Sequence, residues 1–137
     1  MPSRLQRLTF PGTTAGLAEA ASRLRSFLDG VALADERRYQ IELAFDEIVS
    51  NIIRHGQPAT DVEVVVSLDG PEAVLTFDDD GRSFDPRGHT PRPLDTDLEH
   101  AEVGGLGLGL VRTFATRFDY EQTPRRHNRL TVAIPLT

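Results

Sequence analysis

The chain has 137 residues and no cysteine, and its 15 basic and 21 acidic side chains give a formal net charge of −6. This length favours one domain over residues 1–137, which can bury enough surface to fold without disulfides or a structural metal. The absence of cysteine excludes thiol catalysis, CxxC redox chemistry and cysteine zinc sites. The acidic balance argues against a nucleic-acid-binding protein, whose surface is usually basic.

All 15 basic side chains are arginines, and lysine is absent. A P-loop NTPase and a eukaryotic-type protein kinase each need a lysine at the phosphates, and a Schiff-base enzyme needs an amine. The sequence therefore excludes these three classes. No stretch approaches the roughly 18 apolar residues of a membrane span, and the N-terminus lacks a signal-peptide core. We expect a soluble, cytoplasmic protein that binds neither membranes nor nucleic acid.

Hydrophobic periodicity predicts three helices and five strands. Apolar residues recur at helical spacing or alternate with polar ones, and Thr, Asp and Gly stand where helices begin and end. The predicted elements are a strand at 4–10, a helix from Thr13 or Thr14 to Gly30, a helix capped by Asp35 and ending at Gly56, strands at 61–68 and 73–79, a helix at Gly107–Arg117, and strands at 118–122 and 129–136.

Residues 80–105 are rich in proline and glycine and poor in apolar side chains. Loops longer than about 12–15 residues are uncommon in compact domains and are usually functional. Most of the predicted strands are joined by short turns, which implies antiparallel pairing. With all three helices on one face, the pattern predicts an α+β fold: a two-layer sandwich with a mixed, mostly antiparallel sheet.

Glu47 and Asn51 form the first candidate site. They are four residues apart, so both project from one face of the second helix. A carboxylate and an amide oxygen in this arrangement could orient a nucleophile and ligate Mg²⁺. The solvated face of an ordinary amphipathic helix has the same spacing and is the alternative interpretation.

Asp79 and Gly81 form the second candidate site. Asp79 falls on the strand face that also carries Leu75 and Phe77, where a carboxylate is costly unless it is hydrogen-bonded. It could accept a hydrogen bond from the amino group of a purine, and Gly81 would let a flat ligand approach the backbone closely. An acidic turn that ends a strand is the alternative.

A glycine-rich segment that leads into the third helix forms the third candidate site. Backbone N–H groups at a helix N-terminus bind phosphate without a cationic side chain. The spacing differs from the Rossmann fingerprint, and a hinge with close helix packing is the alternative. The candidate phosphate-binding residues are Gly104, Gly105, Leu106, Gly107, Leu108 and Gly109.

Taken in chain order, these three motifs resemble the N, G1 and G2 boxes of the histidine-kinase-like (GHKL) ATPases, which have the Bergerat fold. The fuller segments ELAFDEIVSNIIRHG, DDDGRSFDP and GGLGLGLVRTF are similar to one branch of that superfamily. The branch consists of bacterial anti-sigma factors that are also serine/threonine protein kinases. The similarity runs from about Leu5 to Leu136.

The resemblance implies that ATP and Mg²⁺ are the cofactors and assigns a role to each motif. Asn51 would ligate the Mg²⁺ that bridges the ATP phosphates, and Glu47 would be the catalytic base toward a substrate hydroxyl. Asp79 would accept a hydrogen bond from the adenine amino group, with Gly81 and the region of Phe84 flanking the base.

The resemblance also implies a lid over ATP at residues 86–103 and phosphate contacts from Gly105, Gly107 and Gly109. Some family members carry an arginine immediately before the glycine run that reaches the terminal phosphate. This chain has Val103 at that position. The arginines in and beside the lid that could take its place are Arg82, Arg87 and Arg92.

Family members of this kind phosphorylate a serine or threonine of a STAS-domain anti-anti-sigma protein and otherwise sequester a sigma factor, usually as homodimers. One alternative is a catalytically weak switch that binds nucleotide and partner without phosphorylation. Another is a detached ATP-binding module that acts on a histidine of a second chain. The arginines of the first strand and first helix fit either a dimer or sigma-binding face or a solvated face: Arg4, Arg7, Arg23 and Arg25.

Overall fold

The computed structural model describes residues 4–56, 61–81, 105–125 and 127–137. Within these ranges no helix is both long enough and apolar enough to cross a membrane. The elements are β1 (Leu5–Pro11), α1 (Thr14–Asp29), α2 (Asp35–Asn51), a π-helical turn (Ile52–Gly56), β2 (Asp61–Ser67), β3 (Glu72–Asp79), α3 (Gly105–Phe114), β4 (Arg117–Gln122) and β5 (Asn128–Pro135).

The five strands form one sheet in the order β1-β2-β3-β5-β4. All four pairings between these strands are antiparallel, so the described sheet is antiparallel throughout rather than mixed. In this order β5 lies between β3 and β4, and β4 is an edge strand. The predicted α+β sandwich is confirmed, and the register places Asp79 of β3 opposite Asn128 of β5.

The core lies between the helices and one face of the sheet. Alternate residues of β2 and β3 are buried, as the period of a half-buried strand predicts. Phe45 of α2 packs between Phe10 and Phe77, with ring centroids 6.0 and 6.5 Å away. Aromatic contacts of this kind add stability beyond the burial of area, so they fix α2 on the sheet.

Helix α1 begins and ends as predicted. The Thr13 hydroxyl accepts a hydrogen bond from the backbone N–H of Gly16 over 3.0 Å, and Gly30 is the C-cap. Helix α2 differs at its start, because the N-cap is Ala34 and makes no side-chain capping bond. Asp35 and Glu36 occupy the first turn instead, where their charges interact favourably with the helix dipole.

Two other helix boundaries also differ from the prediction. The α-helical part of α2 ends at Asn51, and a π-helical turn continues to Gly56. Helix α3 spans Gly105–Phe114 rather than Gly107–Arg117, because Arg117 pairs with Ala133 in the sheet. Sheet pairing to a distant strand overrides the local helical pattern there.

Candidate functional site

A cavity lies between α2, the π-helical turn, α3 and the sheet, and its empty volume of about 430 Å³ includes the solvent space at its open mouth. Mostly apolar walls with a few polar groups are typical of small-molecule sites. Its apolar lining comes from Ile48, Ile52, Phe77, Leu108 and Leu130. The other lining residues are Asn51, Gly56, Asp79, Tyr120 and Asn128.

Asp79 is the buried carboxylate of this cavity, with 4% of its surface exposed. Its Oδ1 accepts hydrogen bonds from the backbone N–H of Gly81 (2.8 Å) and from Nδ2 of Asn128 (3.2 Å). Burial is the main cause that raises the pKa of Asp79, and these two hydrogen bonds oppose it. Since both bonds reach Oδ1, Oδ2 is the oxygen that a donor in the cavity would meet.

Gly81 packs against the end of the π-helical turn. A Cβ atom at this position would overlap the carbonyl oxygen of Gly56 and lie 2.7 Å from its carbonyl carbon. This backbone contact gives a reason for glycine at position 81 besides the predicted approach of a flat ligand. It also joins the sheet side of the cavity to the helix side.

Glu47 lies against the first turn of α3. A Cβ atom at Gly107 would overlap the Glu47 carboxylate, so only glycine leaves room for this contact. Burial is the largest cause that raises the pKa of Glu47; Arg54 lowers it and Asp46 raises it. A carboxylate with a raised pKa is a stronger base than an ordinary glutamate, which suits proton abstraction.

Asn51 follows Glu47 by one helical turn and also lines the cavity, with 7% of its surface exposed. Within the described ranges no hydrogen bond joins its side-chain amide to another residue, and no group of three His, Asp or Glu side chains could hold a metal. Among the described residues Asn51 is thus without partner ligands for a metal, and a bound molecule could supply them. Mg²⁺ is commonly held in this way, by few protein oxygens together with substrate phosphates.

Several predicted residues lie outside the described part of the chain. They are Arg82, Phe84, the lid at residues 86–103 with Val103, and Gly104. In the described part of the glycine-rich segment, the backbone of Gly105 and Leu106 begins α3, and Leu108 is buried in the cavity wall. A Cβ atom at Gly109 would meet nothing within 4 Å.

The prediction from sequence missed Tyr120 and Asn128. A signal for Asn128 was present, because it shares the strand phase of the buried Leu130 and Val132. A polar residue at a core-facing position is unusual enough to mark it as a candidate. Tyr120 carried no comparable signal.

Comparison with known proteins is consistent with this arrangement. Residues 10–134 match the model of the histidine kinase-like ATPase domain. The chain belongs to this family.

Curated members of the histidine kinase-like ATPase family include serine/threonine kinases and anti-sigma factors. The chain is 30% identical to the serine/threonine-protein kinase BtrW of Bordetella bronchiseptica, over 77% of this chain and 79% of that protein. It is 27% identical to an anti-sigma F factor of Clostridium kluyveri, over 66% of this chain and 65% of that protein.

Two solved structures share the fold. The RsbU and RsbW domains of Rv1364c from Mycobacterium tuberculosis match with a TM-score of 0.66 and 16% identity, over 98% of this chain and 33% of that one. The histidine kinase domain of the blue-light activated kinase EL346 from Erythrobacter litoralis matches with a TM-score of 0.53 and 22% identity, over 92% of this chain and 61% of that one.

Proposed function

We propose that this protein is an anti-sigma factor and an ATP-dependent serine/threonine kinase of a partner-switching system. It would phosphorylate a STAS-domain anti-anti-sigma protein and sequester a sigma factor. One observation carries the proposal: the cavity lined by Asn51 and Asp79 opens beside the turn of α3 that contacts the Glu47 carboxylate. The similarity to a serine/threonine kinase and to an anti-sigma factor supports the same function.

The adenine ring is the part of ATP that we expect at this cavity. Its apolar walls can enclose a flat base, and its buried carboxylate offers a free acceptor oxygen to an exocyclic amino group. A buried acceptor selects strongly for a ligand that donates to it, because an unmatched ligand leaves the polar group unpaired. Asp79 is therefore the residue that we expect to make the site selective for adenine over other purine bases.

The phosphates would extend from the cavity toward α3. The backbone N–H groups in the first turn of α3 can hold them without any lysine. Asn51 would hold Mg²⁺ through its amide oxygen. When bound, this ion would neutralise phosphate charge.

Glu47 would act as the catalytic base. Its carboxylate would accept the proton of a serine or threonine hydroxyl as that oxygen bonds to the terminal phosphorus and the bond to the leaving ADP breaks. The contact of its carboxylate with Gly107, beside the helix terminus that would hold the phosphates, supports this role. Positioning of this kind supplies most of the catalysis in phosphoryl transfer.

A matched pair of variants on α2 tests this role. We expect Glu47→Gln to bind ATP normally but to lose at least about a hundredfold in phosphotransfer to a cognate STAS protein, because the base is gone. Glu42→Gln changes the same functional group five residues earlier on α2, where the carboxylate pairs with Arg38 at 3.7 Å, and should keep its activity. Phosphoprotein formation by intact-mass spectrometry measures both, and retained transfer in Glu47→Gln would contradict the assignment.

The partners can be identified by affinity purification of the tagged protein with and without ATP, followed by mass spectrometry. Recovery of a sigma factor and a phosphorylated STAS protein would support the proposal. Partner exchange without any phosphoprotein would favour a nucleotide-binding switch instead. We propose that the protein works in the cytoplasm as a homodimer, and sedimentation should then give twice the chain mass of 15.1 kDa.

A further inference from the structure

Tyr120 and Asn128 lie on the sheet side of the cavity and belong to none of the three motifs. Asn128 begins β5, faces Asp79 in the register and has 6% of its surface exposed. The Tyr120 hydroxyl donates to Oδ1 of Asn128 over 2.6 Å. Nδ2 of Asn128 donates to Oδ1 of Asp79 (3.2 Å) and to the carbonyl oxygen of Gly81 (3.1 Å). A chain of hydrogen bonds therefore runs from Tyr120 to the Asp79 carboxylate.

The partners of Asn128 determine which way its amide points. The ionised Asp79 carboxylate and the Gly81 carbonyl can only accept hydrogen bonds, so the amide NH₂ must face them. The amide oxygen then faces Tyr120, whose hydroxyl must donate. Rotating the amide by half a turn would bring three acceptors together, which is unfavourable in a buried site.

In this arrangement the two oxygens of Asp79 have different hydrogen-bonding roles. Oδ1 accepts two hydrogen bonds, from Gly81 and Asn128, and its ordinary capacity is then filled. Oδ2 remains for a ligand in the cavity. A ligand group that donates, such as a 6-amino group, is attracted to it, whereas an oxo group in the same place is repelled.

We propose that Tyr120 and Asn128 are a positioning pair that sets which oxygen of Asp79 faces the cavity and thereby makes the site selective for a 6-aminopurine. The inference rests on the proposed nucleotide-binding function and deepens it. Asn128 also ties the turn at Gly81 to β5, so the same pair holds the carboxylate and the turn that follows it. Tyr120 acts through Asn128 rather than by direct contact with Asp79.

The test compares two nucleotides in isothermal titration calorimetry: ATP, and purine riboside triphosphate, which lacks the 6-amino group, each with Mg²⁺. We expect the wild type to prefer ATP. Asn128→Ala should weaken ATP binding by about tenfold, the usual worth of a hydrogen bond to a charged group, and should change the analogue by less than about threefold. Tyr120→Phe should act in the same direction with a smaller loss.

The control is Tyr39→Phe, the same chemical change at the other tyrosine, which is 60% exposed on α2. It should leave the affinity ratio of the two nucleotides unchanged. Circular dichroism melting establishes that each variant is folded. If Asn128→Ala does not fold, Tyr120→Phe decides, because it removes only the hydroxyl and keeps the ring.

The outcomes distinguish a failure of the positioning pair from a failure of the proposed nucleotide-binding function. A wild type that prefers ATP, with the same preference in the folded variants, would overturn the positioning pair and leave the nucleotide site standing. An equal loss for both nucleotides would also overturn it, because that is the effect of a merely structural role. A wild type that binds neither nucleotide would overturn the proposed function and this inference together.

Discussion

Asp79 is deeply buried, and both of its hydrogen bonds within the described residues reach the same oxygen, Oδ1. Burial raises its pKa, so the folded state retains a proton at pH values where the unfolded chain has released it. The unfolded state then binds fewer protons than the folded state, and the free energy of unfolding falls as pH rises between the unfolded and the folded pKa. Above the folded pKa the free protein bears the full cost of this buried charge.

We therefore expect Asp79→Asn to make the free protein as stable as the wild type below the unfolded pKa of Asp79 and more stable above its folded pKa. The difference should widen as pH rises through the window between the unfolded and the folded pKa and then stay constant. The asparagine oxygen can keep the bonds from Gly81 and Asn128, whereas the acceptor at Oδ2 is lost. Affinity for ATP should fall by about tenfold or more.

Urea unfolding at several pH values, together with calorimetry, measures both effects. The control is Asp78→Asn, because Asp78 lies on the opposite face of β3 and pairs with His127 and Arg129. That variant should keep its affinity for ATP. An Asp79→Asn protein that is less stable than the wild type by the same amount at every pH would contradict the argument.

At the scale of elements, the junction between β3 and the π-helical turn organises the site. The backbone of Gly81 touches that of Gly56, and Asn51 and Asp79 line the cavity on the two sides of this contact. π-Helical turns occur frequently at functional sites, where they displace the chain relative to a regular α-helix. The turn at Ile52–Gly56 is thus part of the cavity wall rather than an irregular helix end.

We expect Gly81→Ala to destabilise the protein by about 1–3 kcal/mol, the usual cost of overpacking, because the new methyl group would overlap backbone that cannot rotate away. Gly70→Ala is the matched control, since a Cβ atom there meets nothing within 4 Å. It should change stability by less than about 0.5 kcal/mol. Equal free energies of unfolding for the two variants would contradict this, because they would show that the backbone at Gly56 can move to accommodate a methyl group.

At the scale of the whole molecule, local features could be predicted and long-range ones could not. The burial of Val62, Val64 and Val66 follows from alternation within a few residues, so the buried face of β2 was predicted correctly. The contact between Asn128 and Asp79 joins residues 49 positions apart and depends on β5 lying between β3 and β4. The strand phase marks Asn128 as core-facing, but no periodicity within either strand identifies Asp79 as its partner.

The end of α3 was mispredicted for the same reason, because pairing with β5 draws Arg117 into the sheet. The motif residues Glu47, Asn51 and Asp79 could be chosen from their spacing and strand phase. That Asn51 and Asp79 line one cavity could be seen only in the tertiary structure. The contact of Glu47 with Gly107 could not be predicted from the sequence either, because two strands separate α2 from α3 in the chain.

Ligand binding should change the stability of the whole domain. A nucleotide that binds only the folded state stabilises it by about 2.7 kcal/mol at a free concentration one hundred times its Kd. We expect ATP to raise the Tm of the wild type more with Mg²⁺ than with EDTA. Asn51→Ala should lose this dependence on Mg²⁺, because the amide oxygen that would hold the ion is gone.

Ser50→Ala, the neighbouring position on α2 and outside the cavity lining, is the control and should keep the Mg²⁺ dependence. Thermal unfolding with ATP and Mg²⁺, and with ATP and EDTA, measures the difference in Tm for each variant. An Asn51→Ala protein whose Tm still responds to Mg²⁺ as the wild type does would remove Asn51 from the metal site.

The position of Tyr120 has a practical consequence. The chain contains no tryptophan and two tyrosines, and the other tyrosine, Tyr39, is 60% exposed on α2. With Tyr39 replaced by phenylalanine, all tyrosine fluorescence would come from one ring in the cavity wall. Its emission would respond to any occupant of the cavity and to the state of its hydroxyl. The protein thus carries an unlabelled optical reporter at its own candidate site.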